Sequence, residues 1–197
     1  MSNVRIRDVR AILTEPEPGS RFTVVKIETT EPGLYGLGCA SLRTRPKAVK
    51  AAIEDYLRPF LIGKDPMRAG AHWQEMYRSQ YFEGGRILTG AISAIEIALH
   101  DVVARSLGVP VYQLLGGHAR DRVRVYRGIG GRDGKEAADN ARSLNEEYGF
   151  TAFKTSPYRI DPDANRWGRV CAEAAKYFEE LRFNCPDNWE FAFDPHA

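Results

Sequence analysis

The hydrophobic pattern of the last 75 residues constrains the fold of this chain more than any other feature. From residue 123 onward, short apolar runs alternate with longer segments in which an apolar residue recurs every three or four positions. The pattern predicts strand, helix, strand, helix, strand over residues 123–126, 135–148, 151–154, 163–181 and 189–193. Strands that alternate with helices in this way form a parallel sheet covered by helices. The second of these helices has a predicted apolar face made of Trp167, Val170, Cys171, Ala174, Phe178 and Leu181.

The beginning of the chain has a different pattern, with a period of two residues. Residues 4–13 and 22–29 are rich in Val, Ile and Thr, and the Gly-rich segment 35–40 follows them. Turn-forming prolines and glycines, such as Pro32 and Gly33, separate these runs. We therefore predict a meander of three antiparallel strands.

Three helices are predicted between the two sheets, because the period there changes to about 3.6. Thr44 is expected to cap the first helix, Asp65 to begin the second, and residues 89–107 to form the third. The inward residues of the first helix are predicted to be Val49, Ile53, Leu57 and Phe60. Those of the third are predicted to be Ile92, Ile95, Leu99 and Val102. We expect two domains, residues 1–120 and 121–197.

Charge and cysteine content exclude several classes of partner. The 28 Lys and Arg residues against 26 Asp and Glu leave a net charge of +2, which excludes nucleic acid as the main partner. Three widely spaced cysteines without a CxxC pair predict neither a zinc site nor a disulfide framework. There is no apolar leader, and we expect no stretch that approaches the 18 apolar residues of a membrane span. We therefore expect a cytoplasmic protein that is not inserted in a membrane.

The carboxyl ends of the predicted parallel strands are the expected ligand sites. Asp194 and His196 follow the last strand, where a carboxylate suits Mg²⁺ and an imidazole can exchange a proton near neutral pH. Their alternative roles are a turn cap and a solvated loop histidine. Lys154 ends the middle strand and could neutralise a substrate carboxylate or act as a base. Its alternative role is an ordinary lysine at a sheet edge.

Several strings in this sequence resemble the enolase superfamily, mandelate racemase type. Residues 93–101 (SAIEIALHD) and 107–117 (LGVPVYQLLGG) look like the signature that joins the capping domain of that family to its barrel. Residues 149–154 (GFTAFK) resemble its second barrel strand. Residues 191–197 (FAFDPHA) resemble the third barrel strand of its acid-sugar dehydratases. The resemblance covers essentially the whole chain.

The resemblance implies an α+β capping domain followed by the first strands and helices of a (β/α)7β barrel of the TIM type. Members of the family use Mg²⁺ to remove the proton next to a carboxylate. By position, Asp194 would bind the metal, His196 would be the acid/base residue, and Lys154 would contact the substrate carboxylate. The loop 15–21 would close over an acid-sugar substrate, with Arg21 as an anion contact. Homo-oligomers are also implied.

Two departures from the family pattern bear on function. Ser156 stands where the racemases carry a lysine base, so the resemblance favours a dehydratase, with a racemase or epimerase as the alternative. The remaining metal ligands and the second acid/base residue of the family lie on later barrel strands, beyond residue 197. The barrel therefore looks truncated, and we expect the 197-residue chain alone to be inactive. A non-catalytic fragment that folds, or binds a partner through its barrel edge, is the alternative from another class.

Overall fold

The computed structural model describes residues 3–78, 84–158 and 166–195 of the chain. These residues divide between two units, 1–119 and 120–197. Each unit has its own three-stranded sheet and its own cluster of buried apolar side chains.

The sheet of the first unit is the antiparallel meander that the sequence predicts. Its strands are β1 (Ile6–Thr14), β2 (Phe22–Thr29) and β3 (Tyr35–Ala40), in the order β1-β2-β3. Both strand pairs are antiparallel. Alternate residues of β2 and β3 are buried, because successive side chains of a strand point to opposite faces. In β1 the register shifts between Ile6 and Asp8, and the buried residues are Ile6, Val9 and Ala11.

A helical segment from residue 46 to residue 61 follows the sheet. It consists of α1 (Pro46–Ala51), a π-helical stretch (Ala52–Leu57) and α2 (Arg58–Leu61). Three of the four predicted inward residues are buried, whereas Phe60 is only partly buried. The predicted cap at Thr44 is wrong: Arg45 precedes the helix and no side chain caps it. A cap matters less here, because the proline in the first turn has no N–H to satisfy.

The next helix, α3 (Ala69–Arg78), begins four residues later than predicted. Asp65 forms a local turn instead of starting the helix. Its carboxylate accepts a hydrogen bond from the Met67 amide at 3.0 Å, and its carbonyl oxygen accepts one from the ring of His72 at 2.7 Å. These bonds compete with helical pairing, as is common for Asp.

Helix α4 (Arg86–Leu107) is the centre of the first core. Its four predicted inward residues are at most 2% exposed, which confirms the predicted face. The helix packs on β3 where that strand carries Gly36 and Gly38. A Cβ atom at these positions would lie 2.1 Å and 1.9 Å from the backbone oxygens of Ala98 and Ala94, respectively. Only glycine allows this close approach.

By length and composition, α4 could also cross a membrane. It has 22 residues and a mean hydropathy of 1.6 over its most apolar window, and it is the one such helix among the described residues. Its inward side chains are buried inside the first unit. A short helix, α5 (Val111–Leu114), follows it.

The second unit has the predicted alternation of strands and helices. Its elements are β4 (Arg127–Gly128), α6 (Gly134–Tyr148), β5 (Ala152–Thr155), α7 (Trp167–Phe183) and β6 (Glu190–Phe193). The three strands are parallel, in the order β4-β5-β6. The predicted strand over residues 123–126 is wrong in position: the pairing with β5 begins at Arg127, and Val123 and Val125 are exposed.

Helix α7 is present, but its buried face differs from the predicted one. Of the six predicted apolar positions, Leu181 is buried, whereas Trp167 and Phe178 are 62% and 39% exposed. Tyr177 is the other buried residue of the helix. The start of the predicted helix, residues 163–165, lies outside the described residues.

A candidate active site at the ends of two parallel strands

The two faces of the parallel sheet differ in chemistry. Phe153 of β5 is 1% exposed and packs against Trp189 and Phe191, with ring centroids 5.2 Å and 5.8 Å away. Because side chains alternate along a strand, Lys154 points to the opposite face. Asp194, one residue beyond the end of β6, reaches that same face, since its carboxylate contacts Lys154.

Lys154 and Asp194 form an ion pair at the carboxyl ends of β5 and β6. The Nζ atom of Lys154 lies 2.7 Å from Oδ2 of Asp194. The side chains are 37% and 34% exposed, respectively, so water reaches both. The structure thus brings together two of the four predicted site residues, 40 positions apart in sequence.

Backbone hydrogen bonds fix the positions of both residues. The amide of Ile129 donates to the Lys154 carbonyl oxygen at 2.9 Å, and the amide of Asp194 donates to the Thr155 carbonyl oxygen at 3.0 Å. On the helix-covered face, the hydroxyl groups of Thr155 and Tyr177 are 3.0 Å apart and buried. The ion pair therefore stands on well-anchored strand ends, although its side chains are partly solvated.

Electrostatics keep the lysine charged. The hydrogen bond and the charge of Asp194 raise the pKa of Lys154 above its ordinary value, and desolvation opposes them only weakly. A smaller Coulombic effect of Tyr126 acts on the pKa of Lys154 in the same direction. The centroid of the Tyr126 ring lies 5.9 Å from Nζ. An ammonium of this kind is suited to binding an anion and not to removing a proton. The sequence position of Lys154 also allowed it to act as a base, and its raised pKa disfavours that role.

Three residues near the site, Tyr126, Arg124 and Glu190, are not among those that the sequence analysis names. Tyr126 approaches Lys154, and Arg124 forms an ion pair with Glu190 at 2.7 Å. Glu190 lies two strand positions before Ala192, which pairs with Lys154 in the register of the sheet. The alternation of residues 190, 192 and 194 was a usable signal for Glu190. The same alternation places Arg124 and Tyr126 on one face of the predicted strand, but the sequence did not show that this face meets Lys154.

The two remaining predicted site residues are His196 and Arg21. His196 lies outside the described residues. Arg21 belongs to the first unit and forms an ion pair with Glu15 at 3.2 Å, within the loop that joins β1 and β2. The amide of Gly19 and the guanidinium of Arg21 lower the pKa of Glu15 below its ordinary value. Arg21 is thus held by a carboxylate of its own loop.

A cavity of about 510 Å³ lies beside the strand ends of the second unit. The loop after β4, the loop after β5 and one side of α7 enclose it, and Gly131, Ser156 and Tyr177 are among its lining residues. Ser156, the residue at the expected lysine position, therefore borders open space.

The described residues do not form a magnesium site by themselves. No group of three His, Cys, Asp or Glu side chains within residues 3–78, 84–158 and 166–195 is placed to hold a metal ion. Asp194 supplies one carboxylate, and Lys154 already neutralises it. A single carboxylate binds Mg²⁺ weakly, because this ion gives up its water ligands reluctantly.

Comparisons with known proteins agree with the fold. The profile of the mandelate racemase / muconate lactonizing enzyme N-terminal domain matches residues 9–116. The D-galactonate dehydratase family member RspA of Pantoea ananatis is 49% identical over 147 residues, which are 75% of this chain and 35% of that protein.

Two solved structures superpose on nearly the whole chain. An enolase from Pantoea ananatis with bound D-gluconate and Mg has a TM-score of 0.82 at 35% identity, covering 98% of this chain and 53% of that one. An enolase from Agrobacterium radiobacter with bound Na and L-malate has a TM-score of 0.87 at 39% identity, covering 98% and 48%.

The chain spans between a third and about half of the length of these relatives. The profile match identifies the first unit as the capping domain, and the structural matches identify the parallel strands of the second as the beginning of a barrel. Fold, sequence identity and domain order agree, and the chain belongs to the mandelate racemase / muconate lactonizing enzyme family of the enolase superfamily.

Proposed function

We propose that the protein is an acid-sugar dehydratase that depends on Mg²⁺. In this reaction the carbon next to the carboxylate loses its proton, the neighbouring carbon loses its hydroxyl group as water, and the resulting enol becomes a 2-keto-3-deoxy acid. The relatives are named as dehydratase-family members, and one related structure holds D-gluconate with Mg.

The observation that carries the proposal is the cation at the strand ends. The ammonium of Lys154 stands beside a partly exposed face, where the carboxylate of a sugar acid could accept its hydrogen bonds. A positive charge at that place disperses the negative charge that develops when the neighbouring carbon loses its proton. We assign Lys154 to the substrate carboxylate.

Three further roles belong to the proposal. Asp194 is assigned as one metal ligand of the whole protein. His196 is assigned as the acid that protonates the departing hydroxyl group, since an imidazole can deliver a proton near neutral pH. Arg21 is assigned as an anion contact of the capping domain. Ser156 replaces the lysine base of the racemases, which favours elimination over racemisation.

The test is to incubate the protein with its complete barrel, Mg²⁺ and a panel of aldonates and aldarates, and to follow 2-keto acids by semicarbazide absorbance. We expect a 2-keto product with at least one sugar acid, and loss of that product in His196→Asn with Mg²⁺ binding retained. Exchange of the substrate proton in D₂O without a 2-keto product would instead identify an epimerase. If the protein with its complete barrel shows neither proton exchange nor a 2-keto product, the result supports the non-catalytic alternative.

A further inference from the structure

We infer that Tyr177 is a positioning residue, whose hydroxyl group is bonded to that of Thr155 and holds the end of β5 so that Lys154 faces Asp194. The inference rests on the proposed function, in which Lys154 binds the substrate carboxylate. It adds a residue of α7, outside the sheet, to those on which the position of that ammonium depends.

A buried hydrogen bond joins α7 to the last residue of β5. Oγ1 of Thr155 lies 3.0 Å from the hydroxyl oxygen of Tyr177, and the two residues are 3% and 9% exposed. An unpaired hydroxyl group at such a buried position is costly, so the bond resists separation of β5 from α7. Thr155 follows Lys154 directly, and its carbonyl oxygen accepts a hydrogen bond from the amide of Asp194 at 3.0 Å. The Tyr177 hydroxyl group therefore constrains the backbone on which both charges stand.

Packing and sheet pairing give this strand end little other support. Strand β5 has four residues and pairs with β4 over only two of them. Just beyond the strand, Ser156 borders the cavity of about 510 Å³, so open space lies beside the strand end. On the polar face the strand neighbours of Lys154, Ala152 and Ala192, are too small to clamp its side chain. The ion pair itself is about one-third exposed and is too well solvated to fix the backbone.

Tyr177 is fixed firmly enough to serve as the anchor. At Gly134 an added Cβ would lie 2.2 Å from the backbone oxygen of Tyr177, so α6 and α7 meet closely at this turn. Leu181, four residues later on the same side of α7, is fully buried. Tyr177→Phe would keep the ring and these contacts and would remove only the bond to Thr155.

The loss of that bond should reach Lys154 through the backbone. The Thr155 hydroxyl group would find a new partner only by turning toward the water of the cavity, which displaces the strand end. Nζ of Lys154 would then spend less time at 2.7 Å from Oδ2 of Asp194. In the proposed reaction, the ammonium would also meet the substrate carboxylate less often.

Amide hydrogen exchange of the 197-residue chain, followed by NMR, tests the inference. The reporters are the amides of Ile129 and Asp194, which donate to the carbonyl oxygens of Lys154 and Thr155. The reference is the amide of Glu190, which donates to the Thr151 carbonyl oxygen at the opposite end of β5. In Tyr177→Phe we expect both reporters to exchange about tenfold faster relative to the reference, the factor that corresponds to the loss of one buried hydrogen bond.

Two further measurements separate positioning from stability. Tyr148→Phe removes the hydroxyl group of an exposed tyrosine of α6 and should change the exchange ratio by less than about twofold. The pKa of Lys154, measured by NMR titration of its ε-carbon, should fall toward its ordinary value in Tyr177→Phe, because Asp194 is then a less constant partner. A merely structural role of Tyr177 would lower the melting temperature and leave both the exchange ratio and this pKa unchanged.

The double variant Tyr177→Phe with Thr155→Val makes the test specific. Replacing both hydroxyl groups leaves no unpaired polar group, so the melting temperature should recover, whereas the exchange ratio and the Lys154 pKa should stay changed. The inference is overturned if reporters and reference accelerate equally in Tyr177→Phe, or if the double variant restores the exchange ratio. Because no sugar acid or turnover is involved, a negative result leaves the dehydratase proposal to its own assay. Conversely, failure of that assay leaves the exchange result standing.

Discussion

Lys154 and Asp194 matter for where they place charge and not for how much they stabilise the fold. Side chains exposed by about a third gain little from pairing, because water screens the attraction. The strand ends that carry them are fixed by the sheet and by the buried Thr155–Tyr177 contact. Conservative changes to the pair should therefore alter the charge of the polar face while leaving the second unit folded.

Asp194→Asn should lower the pKa of Lys154 toward its ordinary value, because the carboxylate is the main cause of its elevation. A raised pKa means that the pair contributes its stability below the ordinary lysine pKa and loses it as the pH rises through the raised value. NMR titration of the lysine side-chain ε-carbons measures the change. An unchanged Lys154 titration in the variant would mean that the ion pair does not persist in solution.

The sequence predicted Lys154 and Asp194 as site residues because both follow apolar strand segments. It did not predict their direct contact, which depends on the parallel register that sets Lys154 opposite Ala192. Register follows from the packing of the opposite face, where Phe153, Trp189 and Phe191 meet. The sequence motifs do not include these aromatic contacts, so the sequence did not predict that Lys154 and Asp194 are each other's partner.

At the scale of elements, small residues decide which helix faces are buried. The face of α6 that meets the core is made of Ala137, Ala138 and Ala141, and at Gly134 an added Cβ would lie 2.2 Å from the Tyr177 backbone oxygen. Helix α6 therefore approaches α7 closely at the turn that carries Tyr177 and Leu181. The large apolar residues of α7 recur at a helical period, which predicts an apolar face. The period does not show on which side of α7 the backbone of α6 can approach closely. This is why the predicted face of α7 was wrong.

Leu181→Ala should destabilise the protein far more than Trp167→Ala, although tryptophan is the larger side chain. Leu181 is fully buried, so its loss leaves a cavity and should cost about 2–5 kcal/mol. Trp167 is 62% exposed, and its loss should change stability by about 0.5 kcal/mol. Urea unfolding followed by circular dichroism measures both. Equal losses would show that the face with Trp167 is covered in solution.

Gly38→Ala should destabilise the first unit by about 3 kcal/mol, because its Cβ would lie 1.9 Å from the Ala94 oxygen and force α4 away from β3. Gly70→Ala is the matched control: it lies in α3 with no atom within 4 Å of the added Cβ, and should be neutral or stabilise by up to about 1 kcal/mol. Thermal unfolding of the two variants compares them directly. A neutral Gly38→Ala would contradict the close packing of helix on sheet.

At the scale of the whole molecule, most of the fold could be predicted because periodicity and turn residues are local signals. The meander, the inward face of α4 and the parallel order of β5 and β6 followed from them. The π-helical stretch, the late start of α3 and the two-residue length of β4 did not. Each depends on hydrogen bonds or register set by residues elsewhere in the fold. The local sequence pattern predicts whether a segment is a helix or a strand more reliably than it predicts where that segment begins and ends.

Acid should destabilise the first unit through its hydrogen-bonded carboxyl groups. In the first unit, Glu15, Glu28, Glu54 and Glu75 have a pKa clearly below the ordinary value. In each case the largest cause is a hydrogen bond to the carboxylate, from Gly19 in the loop for the first and from a lysine side chain for the others. Acid protonates these groups and removes the stabilisation.

Glu28 should make the largest single contribution to this acid sensitivity. Hydrogen bonds from Lys26 and Arg7 lower its pKa from 4.5 to about 2 on the exposed face of the sheet. Because the folded-state pKa is the lower one, its stabilisation is complete above pH 4.5 and is lost as the pH falls toward 2. After allowance for screening by water, the contribution is about 1 kcal/mol, or roughly 4 °C in melting temperature.

Calorimetry of the unmodified chain and of Glu28→Gln from pH 7 to pH 2 tests this. The variant should melt about 4 °C lower at pH 7, and the two proteins should converge as the pH approaches 2, because glutamine resembles the protonated acid. High salt should shrink the difference at pH 7, since the interacting groups are solvent-accessible. A constant difference at every pH would mean that Glu28 acts through packing and not through its charge. No difference at pH 7 would mean that Lys26, Arg7 and Arg10 find equivalent partners without it.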